Sequence, residues 1–365
     1  MLPSTTSASV PTDSQTPRGN GAQAVATALA ALICLLAELP GLVVDALGVR
    51  GWGLAVVVVV AVVSGARTVL WAPLTLASTL RQRPRPPALR RWAGEQLTTF
   101  LASTAVAAAV AIPLYGLLRA TPWWWLAVWA LSASVTVGWQ LALPAVLRAR
   151  SGGLAPAPDH LAARLGMVAA CAGAGAPEVV VAGRAGRRSC NAYVAGLGPT
   201  RRIVLEPAIV AWPPELVDQA VAHEFGHWRL RHAARRLPLT LLAQLATLAA
   251  AAAALASPSL LAWAGVPGVG SPLSYPLLLT VGAVVAVPAR VGLAWHDRAQ
   301  ERAADRFALA LLGRPADFAA MLDRAAGEGG APRDLPWWRR VTASHPPIDE
   351  RAADATRLDL APAGG

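Results

Sequence analysis

Long apolar runs dominate this chain. Six stretches, at about 24–45, 52–72, 97–118, 123–147, 238–263 and 273–295, carry almost no charge. Each is near the roughly 20 residues that a helix needs to cross a bilayer. The pattern predicts six membrane helices, four before and two after a less hydrophobic stretch at 151–236. Within that stretch, a helix is expected from Pro158 to Ala172, with Asp159 near its N-terminus. Glu178–Ala182 reads as a strand. Cys190–Ala195 and Arg202–Leu205, flanking the Gly196–Thr200 turn, read as a hairpin. After Pro213 and Pro214, the apolar Leu216, Val217, Ala220, Val221 and Phe225 recur at helical spacing, so Glu215–His232 reads as one helix. Residues 1–22 lack periodicity and read as a disordered tail, and 356–365 as a flexible one. No basic run precedes the first apolar segment, so it reads as a retained helix and not a cleaved signal.

Composition agrees with a membrane protein: 55% of residues are hydrophobic and 15% charged, with mean hydropathy +0.45. The net charge of +11 raises the question of nucleic acid. No nucleic-acid-reading motif accompanies it, and no such partner is expected. All 32 basic residues are arginine, and many flank the apolar segments. Arg81, Arg83, Arg85, Arg90 and Arg91 follow the second segment, and Arg148 and Arg150 the fourth. Arg235 and Arg236 precede the fifth, and Arg298 and Arg302 follow the sixth. The opposite loops hold only Arg50 and Arg119. By the positive-inside rule, both termini and the 151–236 region face the cytoplasm. The lack of lysine beside abundant Ala, Gly, Pro and Arg points to a GC-rich, bacterial source. Trp123–Trp129, with four tryptophans, reads as an aromatic belt at the outer interface. Cys34, Cys171 and Cys190 lack metal or disulfide spacing and read as buried thiols. Glu38 and Arg67, in or near apolar segments, face a polar cavity, pair with each other, or mark a segment end.

The chemistry starts at His223-Glu224-Phe225-Gly226-His227. Histidines four apart on a helix project from one face and can share a metal ion. Zinc accepts neutral imidazole nitrogen and has room for a third protein ligand. Glu224, next to the first histidine, is placed to take a proton from an attacking water. Leu230 and Ala233 stand where the longer metzincin pattern needs glycine and histidine, which removes that class. His232 falls off the metal face of a continuous helix and reads either as a surface residue or as a support behind a ligand. Glu301 and Asp305 form an i,i+4 carboxylate pair. Two readings stay open for it. One acid ligates a metal while the other orients a ligand histidine, or both belong to a solvated face with Arg298, Arg302 and Arg306.

The order of these elements resembles one family. HEFGHWRLRH (223–232), two apolar segments, ERAADRFAL (301–309) and SHPPIDER (344–351) resemble the CAAX prenyl endopeptidase and HtpX group of membrane gluzincin proteases. Asn191-Ala192-Tyr193, before a glycine-containing turn, resembles the family's NAF-type strand. The likeness covers about 155–355 and extends to the first four segments only in kind. It implies one zinc ion on His223, His227 and Glu301, with Glu224 as the catalytic base. It also implies Asp305 behind a ligand and His345 stabilising a developing oxyanion. Arg351 would orient the loop or nearby carboxylates, and the Asn191–Tyr193 strand would pair with extended substrate. The prenyl endopeptidases have seven spanning helices and HtpX-type relatives commonly four, against six counted in this chain.

The expected fold is thus mainly α: a polytopic helical membrane bundle with a gluzincin-type zinc protease domain and a small β-hairpin or sheet. Its parts are the tail at 1–22, four membrane helices at 23–150 and a first protease part with the HExxH helix at 151–236. Two inserted membrane helices at 237–295, a second protease part at 296–355 and the C-terminal tail follow. The expected activity is zinc-dependent hydrolysis of peptide bonds in membrane or membrane-proximal proteins at the cytoplasmic face of a bacterial membrane. Polypeptide and lipid bilayer are its partners. The alternatives are a receptor-type protease clipping one signalling partner, or a non-catalytic zinc-containing scaffold. Short outer loops speak against the first, and intact Glu224 against the second.

Overall fold

The computed structural model describes residues 17–82, 86–150, 153–171, 178–182, 191–329 and 332–359. The N-terminal helices are α1 (Pro17–Leu36), α2 (Leu39–Ala46), α3 (Trp52–Gln82), α4 (Pro86–Ala120) and α5 (Trp124–Arg150). A mixed segment follows: β1 (Leu154–Pro156), α6 (Asp159–Cys171), β2 (Val179–Ala182), β3 (Ala192–Ala195), β4 (Arg202–Leu205), α7 (Pro207–Val210) and α8 (Pro214–Arg229). The rest is helical: α9 (His232–Ala256), α10 (Pro258–Trp263), α11 (Tyr275–Leu312), α12 (Pro315–Gly329), α13 (Trp337–Arg340) and α14 (Ile348–Asp359).

Among the described residues, five helices are long and apolar enough to cross a membrane, or six if the bent pair α1 and α2 is one span. That pair departs from the single helix expected at 24–45, bending by 65° where Glu38 takes a left-handed conformation (φ 52°). Helix α1 begins at Pro17, inside the stretch read as a tail, while residues 1–16 lie outside the described ones. The sixth apolar segment does not stop at 295. Helix α11 runs 38 residues and carries Glu301 and Asp305 on its last turns, so the apolar segment and the acid pair belong to one element. Cys34 is buried, but Cys171 is exposed, contrary to expectation, and Cys190 lies outside the described residues. Arg67 donates to Ser103 Oγ at 2.7 Å.

The chain forms two units. Unit one comprises 1–128 and 247–285, and unit two 129–246 and 286–365. Unit one packs helix on helix around Val56, Val60, Ala111, Tyr115 and Leu255. The buried Tyr115 hydroxyl is 2.8 Å from Ser274 Oγ, which satisfies a polar atom that would be costly to leave bare.

Unit two holds a four-stranded sheet in the order β1-β2-β4-β3. β2 and β4 are parallel, while β1/β2 and β3/β4 are antiparallel. The hairpin expectation holds: Tyr193 pairs with Val204 and Val194 with Ile203. Its turn needs glycine at 196, where φ is 92° and a Cβ would lie 2.6 Å from the Thr200 carbonyl oxygen. Side chains alternate along β4. Ile203 and Leu205 enter the main core with Leu165, Val221, Phe225 and Phe318. Val204 faces the other way, toward Leu143 and Leu147 of α5. Fully buried Phe225 and Phe318 each stabilise this core by about 1.5–3 kcal/mol. β3 is an edge strand of this sheet.

Candidate metal centre

Helix α8 starts with Pro214, whose fixed φ suits a first turn and whose missing N–H costs nothing there. Val217, Ala220, Val221 and Phe225 point into the core, which leaves His223 and His227 one turn apart on one face, with Glu224 buried beside them. Arg164 clamps the helix by donating to both oxygens of buried Asp218 at 2.7 and 2.8 Å. Gly226 sets the approach to α11: a Cβ there would lie 2.9 Å from Ala304 Cα. Only a residue without a side chain lets the two helices come this close. The helix ends at Arg229, not at His232 as the apolar pattern had it. Arg231 takes a left-handed φ of 54°, and the chain restarts as α9.

Three donor groups converge. His223 Nε2 and His227 Nε2 are 3.1 Å apart. Glu301 Oε1 is 3.3 Å from His227 Nε2, and Oε2 is 3.6 Å from His223 Nε2. A tetrahedral ion about 2.0–2.1 Å from each donor sets donor separations of roughly 3.3 Å, which these distances bracket. Electrostatics agree. Burial works against a charged His223, yet the Asp305 and Glu301 carboxylates outweigh it and push its pKa up to about 10. The cluster favours a positive charge, from a proton or a divalent cation. Donor set and charge both fit a zinc ion.

Around the cluster, His223 Nδ1 lies 2.9 Å from Asp305 Oδ1. Arg351 donates to both Asp305 oxygens at 2.8 and 2.6 Å and reaches within 3.8 Å of Glu301. His345 Nδ1 is 3.0 Å from Glu301 Oε2, with most of its ring exposed; that contact raises its pKa. Buried Glu224 has its carboxyl pushed up, first by desolvation, and feels His223, His227 and Glu301. Among the described residues, no hydrogen bond or ion pair ties Asn191 or Tyr193 to the cluster. Ala192 and Tyr193 lie on edge strand β3, with Asn191 just before it, where its carbonyl accepts from Glu206 N–H at 3.0 Å.

Three further residues support this centre. His232 is buried, with Nδ1 2.7 Å from His227 Nδ1. Gln300 Nε2 donates to the His232 carbonyl at 3.2 Å. Arg298 Nη1 donates to the carbonyls of Arg340, Val341 and Ala343 at 3.0, 3.3 and 2.8 Å, holding the loop that leads to His345. Sequence spacing carried no signal for the last two, since their partners are carbonyls.

The sequence model of Peptidase family M48 matches residues 159–359. The chain belongs to that family. The match spans more than half of the chain and includes every side chain of the cluster. The crystal structure of S. mikatae Ste24p is similar to this M48 protein with a TM-score of 0.61 at 17% identity, covering 84% of this chain and 77% of that one. At that identity the likeness speaks for the fold. No curated protein matches the chain. This M48 member is a multi-pass membrane metallopeptidase: a helical membrane bundle, a small mixed sheet and a His/Glu cluster able to hold a metal.

Proposed function

We propose that this chain is a zinc-dependent endopeptidase acting on membrane or membrane-proximal polypeptides at the cytoplasmic face of a bacterial membrane. The observation that carries this reading is the meeting of His223 Nε2, His227 Nε2 and Glu301 within 3.1–3.6 Å beside buried Glu224. A zinc ion held by those three residues would supply Lewis acidity to a peptide carbonyl and acidify water.

The remaining steps belong to the chain's own residues. Glu224 takes the proton of the attacking water, and its raised pKa equips it to pass that proton to the leaving amine. His345 donates toward the oxygen on which negative charge develops. Asp305 fixes the tautomer of His223 and is itself held by Arg351. β3, an edge strand among the described residues, accepts an extended substrate as an added strand over Asn191, Ala192 and Tyr193, on the side away from β4. Backbone pairing of that kind grips sequence-tolerantly and suits a protease of unfolded membrane segments. The cytoplasmic assignment is supported by the arginines flanking the apolar helices.

The test uses full-length protein in detergent, with zinc content and casein cleavage measured together. Wild type is expected to carry one zinc and cleave. Glu224→Gln should keep zinc while cleavage falls about 10²–10⁴-fold. Equal cleavage by the variant sinks the mechanism. Zinc without cleavage in wild type favours the scaffold reading.

A further inference from the structure

His232 has no part in the chemistry above, yet it is among the most buried polar groups of unit two, at 4% exposure. Had α8 continued, a residue five positions after His227 would sit about 140° around the helix from it. The chain instead breaks at Arg231, a non-glycine residue in left-handed conformation (φ 54°). Such a conformation is strained for a residue with a Cβ and persists only where the surroundings enforce it. The reversal turns His232 back so that its ring meets the His227 ring edge-on, centroids 4.8 Å apart, with the two Nδ1 atoms at 2.7 Å. From α11, Gln300 holds the His232 carbonyl at 3.2 Å, one residue before Glu301.

We infer that His232 is a positioning residue for His227, accepting its Nδ1 proton and so presenting Nε2 to a metal ion. This rests on the metal reading above. With Nε2 turned toward His223 and Glu301, His227 must carry its ring proton on Nδ1. His232 Nδ1 is the acceptor at hydrogen-bond distance, which requires His232 to be neutral with its own proton on Nε2. A neutral acceptor has a consequence of its own. Glu224, Glu301 and Asp305 already crowd carboxylates into this pocket, and an imidazole orients the ligand without adding another negative charge. It also raises the basicity of its ligand less than a carboxylate does. The two ligand histidines are therefore tuned differently.

The experiment measures zinc affinity of the full chain in detergent by competition with a chromophoric chelator. His232→Leu keeps an apolar body of similar size but lacks an acceptor, whereas His232→Gln brings a side-chain carbonyl. The leucine variant should bind zinc about 10–100-fold more weakly, the usual loss when the partner behind a metal ligand is removed. His232→Gln should recover most of that loss, which a purely packing role would not produce. Thermal unfolding of the metal-free variants checks the fold, and His232→Met replaces the leucine variant if that one does not fold. Unchanged affinity without the acceptor, or equal loss with glutamine, overturns the inference while leaving the metal reading intact. A wild type that holds no zinc removes the metal reading itself.

Discussion

His223 and His227 stand one turn apart on α8, yet their rear nitrogens meet opposite environments. Behind His223 lies a charged pair: Asp305 at 2.9 Å, held in two places by Arg351. Behind His227 lies a second imidazole, that of His232, at 2.7 Å. The charged side is assembled from α8, α11 and α14, elements remote in sequence, and exists only once the C-terminal part has docked. The imidazole side is built locally, by a chain reversal between α8 and α9. The donor geometry on one side thus depends on tertiary closure, and on the other on one backbone conformation.

Removing the carboxylate common to both sides should have the largest effect. Glu301→Gln is expected to weaken zinc binding by more than about 100-fold, beyond the loss of an outer partner, as read by metal content after dialysis. Next comes the charged side alone. Asp305→Ala leaves the part-buried Arg351 only its longer 3.8 Å contact to Glu301 and should cost about 3 kcal/mol, the low end for a broken buried pair, seen in chemical unfolding together with zinc loss. Asp305→Asn should lose less stability, separating charge from shape. Gly226→Ala strikes the helix approach beneath both histidines. Its Cβ would meet Ala304 Cα at 2.9 Å, and overpacking should cost about 1–3 kcal/mol by thermal unfolding. The smallest effect is expected for Arg298→Ala, which frees three carbonyls of the 340–343 stretch. Backbone hydrogen exchange should quicken there while zinc affinity stays at the wild-type value. Loss of zinc in that variant would tie the His345 loop to the metal directly.

Much of this architecture is legible in the sequence because it depends on periodicity. Apolar runs of bilayer length give the membrane helices, and alternation around Gly196–Thr200 gives the hairpin. The four-residue spacing of His223 and His227 puts both on one face whatever the context. The helix 215–232 failed at its end because apolar periodicity says nothing about a single residue entering the left-handed region at Arg231. The bend at Glu38 escaped for the same reason. Glu301 and Asp305 were ambiguous as a local pattern, since an i,i+4 acid pair reads equally well as a solvated face.

What the sequence determined by itself is the membrane class, the helix of the candidate metal centre and the kind of donors it offers, all consequences of local spacing and side-chain chemistry. Tertiary structure alone decided which groups stand behind those donors. Arg351 reaches Asp305 across 46 positions, and Gly226 admits α11 only because Ala304 is opposite it. Such contacts depend on where separate elements come to rest in three dimensions. No spacing along the chain encodes that until burial of the core has fixed it.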